Sequence, residues 1–103
     1  MAQVIWTEPA LSDLDAIADY IAIDSPVAAR KLVQNVFDHV DHLANHPQMG
    51  SKPPEIKGWR YRQMVEPPCR IFYRHEKDKD IVYILYVTRG ERLFDPKVLP
   101  QRG

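Results

Sequence analysis

The sequence predicts an α+β domain: a helical hairpin packed on one face of a twisted antiparallel sheet, in the order β-α-α-β-β-β. Two observations carry this. Between Leu11 and Ala44 the apolar residues recur at helical spacing, whereas from Trp59 to Thr88 they alternate or run continuously as β-strands do. The later segments are also joined by short turns, which implies antiparallel pairing. A chain of 103 residues suits one domain spanning 1–103 and leaves little room for a second.

Gln3 to Trp6 is a short β-type run, expected at a sheet edge. Thr7 then offers a helix N-cap, with Glu8 and Pro9 in the first turn. Leu11, Leu14, Ile17, Ala18 and Ile21 form the inner stripe of the first helix, and Asp13, Asp15 and Asp19 fall off it. Asp24-Ser25-Pro26 is a stop and a restart. Leu32, Val33, Val36, Phe37, Val40, Leu43 and Ala44 supply the apolar face of the second helix, which should end before Pro47. So short a break makes the two helices antiparallel neighbours.

The stretch from 47 to 58, PQMGSKPPEIKG, reads as a loop. Strands are expected near Trp59–Val65, Cys69–His75 and Ile81–Thr88, with turns at EPP (66–68) and EKDKD (76–80). IVYILYV, apolar on both faces, marks a central strand. The tail GERLFDPKVLPQRG is compatible with a short strand or a helical turn. The sheet's second face is expected to be only partly covered, and so to carry any functional surface.

Composition narrows the classes. A hydrophobic fraction of 45% supports a core without metal or disulfide staples. Cys69 is the single cysteine, so no intrachain disulfide forms, and a reducing, cytoplasmic setting is expected. No stretch approaches a membrane span, and MAQVIWTEP lacks the features of a signal peptide. Net charge is zero, but seven acids face two bases up to His46, giving −5, and the remainder carries +5. Neutrality overall gives no support to a nucleic-acid binder, whereas the split suggests two surfaces with different partners.

The arginines are the conspicuous constellation. Arg70, Phe72 and Arg74 alternate with Ile71 and Tyr73, and Arg60 and Arg62 alternate with Trp59 and Tyr61. Paired strands would bring four guanidinium groups to one face, joined by Arg89 and Arg92, and such a cluster suits an anion or an acidic partner. His39, His42 and His46 share one helical side, but a single helix seldom closes a metal site, so no metal is expected. His75 lacks an evident carboxylate to orient it, and Cys69 reads as a small packed residue. Neither a nucleophile motif nor a phosphate loop appears, and no cofactor is expected.

Four stretches together resemble the RelE/ParE superfamily of toxins from bacterial type II toxin–antitoxin modules. They are VIWTEPALSDLDAIADYIA, LANHPQMG, YRQMVEPPCRIFYR and IVYILYVTRGER, which span nearly the whole chain in the family's order. The resemblance implies a growth-inhibiting toxin neutralised by an antitoxin that wraps around it. Docking of that antitoxin is expected on the edge strand and hairpin, at Val4, Trp6, Leu14, Ile17, Ile21 and Phe37. RelE-like members cleave mRNA on the ribosome; ParE-like members bind DNA gyrase and are not hydrolases. The leading expectation is the ParE-like mode, with Arg60, Arg62, Arg70, Arg74, Arg89 and Arg92 forming a recognition surface. The alternatives are a ribosome-dependent endoribonuclease using Arg62, Arg74, Arg89 and Glu91, and an inactive toxin fold kept as an interaction module. Phe94 stands where several RelE-like enzymes have a titratable side chain, and the sequence positions neither Glu55 nor Glu91 as a base.

Overall fold

A computed structural model describes residues 1–90, 92 and 94–103. Its elements are β1 (Gln3–Trp6), α1 (Glu8–Asp24), α2 (Pro26–Asp41), a 3-10 turn at His42–Ala44, β2 (Arg62–Glu66), β3 (Cys69–Glu76), β4 (Ile81–Arg89) and a short helix, α3 (Val98–Arg102). Among the described residues no helix is long and apolar enough to cross a membrane.

One residue separates the two long helices. Ser25 donates its backbone N–H to Ile21 O at 2.9 Å and accepts from Ala28 N with its hydroxyl at 3.1 Å. It therefore ends α1 and caps α2, with Pro26 at the first helical position as the sequence predicts. Thr7 caps α1 by accepting from Ala10 N, and its hydroxyl donates to Ile84 O at 2.7 Å. A capping residue thus also ties the helix to the sheet.

The sheet order is β1-β4-β3-β2. β2, β3 and β4 pair antiparallel, but β1 runs parallel to β4, with Gln3 opposite Ile81 and Trp6 opposite Ile84. The sheet is mixed rather than wholly antiparallel. Short turns dictate direction only between strands they join, and the helical hairpin separates β1 from the rest, so it returns the chain free of that constraint. The predicted edge position of β1 and central position of β4 both stand.

One face of the sheet packs Met64, Ile71, Tyr73, Val82, Ile84 and Val87 against Leu14, Ile17, Leu32, Val36, Val40 and Leu43 of the hairpin. Burial of apolar area of this kind stabilises at roughly 25 cal/mol per Å². The second face carries its own cluster, in which Tyr61, Phe72, Leu85 and Leu99 are buried and Tyr83, Tyr86, Phe94 and Val98 pack around them. The register shifts between Phe72 and Tyr73, which pair with Tyr86 and Ile84, so Leu85 is the extra residue of a bulge. That bulge puts Leu85 and Tyr86 on one face in succession and accounts for the missing alternation in IVYILYV.

Candidate functional site

β3 presents Ile71 and Tyr73 to the hairpin and Arg70, Phe72 and Arg74 to the opposite face. The guanidinium groups of that face are heavily engaged within the chain. Arg70 donates from Nη1 and Nη2 to the two Glu55 oxygens at 2.8 and 2.9 Å, and from Nε to Gln63 Oε1 at 3.0 Å. Its guanidinium also lies over the Phe72 and Phe94 rings, at 4.8 and 5.4 Å. The hydrogen bonds from Arg70 hold the Glu55 carboxyl below its ordinary pKa. A carboxylate stabilised in that way is a poor general base.

Arg74 donates to Glu76 Oε2 at 3.1 Å and to the carbonyl of Gly103 at 2.9 Å, and lies over the Tyr83 ring. Arg60 also reaches the Gly103 carbonyl, and donates to the Tyr61 hydroxyl. Arg102, which is not among the arginines singled out from the sequence, belongs to this system. It donates to both oxygens of Asp13 and to Leu85 O, and lies over Tyr86. Asp13 in turn accepts from Val87 N at 3.1 Å, closing an edge of β4 that β1 is too short to reach. The helical spacing of Asp13 off the apolar stripe was the available signal; its partner, 89 residues away, was not.

Arg62 departs from the expected single face. It pairs in register with Tyr73, and so stands on the hairpin side of the sheet rather than beside Arg70 and Arg74. The turn explains the difference: Glu66 pairs with Cys69, so Pro67 and Pro68 alone form the turn in place of the expected EPP, and the register moves by one residue. Arg62 donates to the carbonyls of Gln48 and Gly50 at 3.2 and 2.9 Å and lies 4.6 Å from the centre of the Trp59 ring. Gly50 N donates to the buried Tyr73 hydroxyl at 2.8 Å. Burial raises the Tyr73 pKa, and the Gly50 hydrogen bond and the Arg62 charge oppose that rise.

Arg89 lies over the Tyr20 ring of α1, at 4.7 Å. With exposed Arg92 it borders a groove of about 540 Å³ between α1 and the end of β4, lined also by Asp13, Ile17, Thr88 and Tyr86. Glu91 lies outside the described residues. The arginines named from the sequence therefore divide among three places: the second sheet face with Arg60, Arg70 and Arg74, the hairpin side at the start of β2 with Arg62, and the α1–β4 groove with Arg89 and Arg92.

Of the residues expected to meet an antitoxin, Leu14 and Ile17 are only 3% and 8% exposed and belong to the core. Val4, Trp6, Ile21 and Phe37 are half-buried at its margin. Trp6 and Phe37 meet with ring centres 4.9 Å apart, and Phe37 lines a groove between the helices with Leu11 and Val33. Elsewhere, His75 does have a carboxylate to orient it: its Nε2 lies 2.8 Å from Asp80 Oδ1, in the EKDKD turn. Glu66 stands 3.2 Å from His39. Among the described residues no three metal-ligating side chains converge.

Residues 4–94 match the family model described as the ParE toxin of the type II toxin–antitoxin system parDE. The chain belongs to the ParE toxin family. This ParE-family chain is 34% identical to Toxin RelE2 of Caulobacter vibrioides over 93 residues, covering 90% of this chain and all of that one. Among solved structures it resembles the chromosomal ParDE system of P. aeruginosa, with 30% identity, a TM-score of 0.71 and coverage of 88% and 98%. The RelBE2 toxin–antitoxin complex of Mycobacterium tuberculosis shares the fold at 22% identity and a TM-score of 0.58, with coverage of 85% and 96%. The protein is thus a toxin of the ParE/RelE type, built on that fold.

Proposed function

We propose that this toxin arrests growth by binding DNA gyrase and blocking its cycle, and that a cognate antitoxin holds it silent by wrapping the helical hairpin and β1. The observation that carries the reading is that, among the described residues, the carboxylates beside Arg70 and Arg74 are both ion-paired. Glu55 is bound by Arg70 and Glu76 by Arg74. RNA cleavage needs a base to take the 2′-hydroxyl proton and an acid to protonate the leaving oxygen. These carboxylates are engaged in charge neutralisation instead, which suits a surface that grips.

The match to the ParE family model and the 30% identity with a ParDE structure support the same branch. The similarity to the chromosomal ParDE toxin–antitoxin system of P. aeruginosa supports the antitoxin. Plasmid DNA from cells expressing the toxin tests the reading. Loss of negative supercoiling, prevented by co-expression of the product of the adjacent reading frame, is expected. Unchanged supercoiling with mRNA cut at codon-related positions would overturn it in favour of the endoribonuclease.

A further inference from the structure

The loop between the 3-10 turn and β2 holds a large aromatic side chain in solvent. Trp59 is 61% exposed. It is nevertheless fixed from below, because the guanidinium that covers one side of its ring belongs to Arg62, itself fastened to the Gln48 and Gly50 carbonyls. A ring held in place before binding loses little conformational entropy on contact. Met49, between the two fastened carbonyls in sequence, is exposed.

The charge around this ring differs from that on the sheet face. Arg70, Arg74 and Arg102 are each paired with a carboxylate. Arg62 uses two neutral acceptors, the Gln48 and Gly50 carbonyls, whereas Arg60 donates to the Tyr61 hydroxyl and shares the Gly103 oxygen with Arg74. Among the described residues, Lys52 and Lys57 form no ion pair. The one acid in the loop, Glu55, is already held by Arg70. Trp59 therefore lies in a segment, 52–62, whose Lys52, Lys57 and Arg62 have no carboxylate partner among the described residues.

We propose that Trp59 is the anchor by which the toxin grips an acidic face of its target protein, with Lys52, Lys57 and Arg60 as the charged rim. Tryptophan and arginine dominate protein interfaces when held at their centre, and rim charges act mainly on association rate. Single-stranded nucleic acid is the less favoured partner, since one ring face is already covered by Arg62 and the chain carries no net positive charge. The proposal rests on the gyrase reading.

Binding of the full-length toxin to immobilised gyrase tests it, with Trp59→Ala and the double variant Lys52→Glu/Lys57→Glu beside the unsubstituted chain. Thermal melting and antitoxin binding check that each variant is folded. Trp59→Ala should weaken gyrase binding by about tenfold or more. The lysine variant should slow association several-fold at low salt, with the effect fading as salt rises. If the unsubstituted chain binds gyrase and both variants bind equally well, the anchor is wrong and the gyrase reading stands. If the unsubstituted chain does not bind gyrase, both fall. Loss of binding to a single-stranded RNA oligomer by Trp59→Ala, with gyrase binding unchanged, would also overturn the proposal.

Discussion

Arg70 and Glu55 form a two-pronged ion pair, with N–O distances of 2.8 and 2.9 Å, that draws the loop before β2 onto the second face of the sheet. Glu55→Ala should lower stability by about 0.5–1 kcal/mol near neutral pH, the upper part of the range for an exposed ion pair, because the pairing is two-pronged. The sign of its pH dependence follows from the lowered Glu55 pKa. The contribution is present above the ordinary glutamate value of 4.5 and is lost as pH falls through the lower folded value. Urea titrations of both proteins should therefore differ at pH 7 and converge in acid; a gap that persists in acid would contradict the pairing.

Gly50 sits where no side chain fits. A Cβ there would lie 2.6 Å from both Gln63 O and the Tyr73 hydroxyl. Gly50→Ala should cost about 2–3 kcal/mol by forcing the loop off the sheet. Tyr73→Phe leaves the Gly50 N–H without its acceptor and should cost about 1–2 kcal/mol. Melting temperatures of the two single variants and the double check this, and their effects should not add, because both release the same contact.

Asp13 joins α1, β4 and α3 through Val87 N and Arg102. Asp13→Ala leaves a strand N–H and a partly buried guanidinium without their acceptor, and should destabilise by about 2–3 kcal/mol. Asp13→Asn keeps a carbonyl oxygen for Val87 and should cost less. Equal losses from the two would place the effect on charge alone. Amide exchange at Val87 reads the first contact directly.

Antitoxin binding separates two leucines three residues apart. Leu11 is 41% exposed at the interhelical groove, whereas Leu14 lies in the core. Leu11→Asp should weaken antitoxin capture at least tenfold with little change in melting, since it removes an apolar groove contact. Leu14→Ala should instead cost about 2–4 kcal/mol of stability. Calorimetry and titration against the co-expressed antitoxin distinguish the two effects.

Local chemistry made most of the fold legible. Thr7, Ser25 and Pro26 mark helix ends by hydrogen bonds that lie within a few residues, and Ile71 and Tyr73 declare a face by alternation. What escaped depends on distant partners. The parallel seat of β1, the Asp13–Arg102 pair and the coverage of the second face by Leu99 all join residues far apart in sequence. The arginine count was readable, but its division was not: Glu66 pairs with Cys69 across a turn one residue shorter than EPP (66–68) implies, and that shift of register sends Arg62 to the face opposite Arg70. Ion pairing then decides which of those charges remain uncompensated, and no spacing rule reports it.

The central claim is that this surface grips without cleaving. Purified toxin added to gyrase supercoiling reactions, with primer extension across mRNA in a parallel cell-free translation reaction, tests it most directly. The account predicts loss of supercoiling in proportion to toxin, restored by antitoxin, with full-length mRNA throughout. Codon-positioned cuts in the mRNA with supercoiling unimpaired would contradict it.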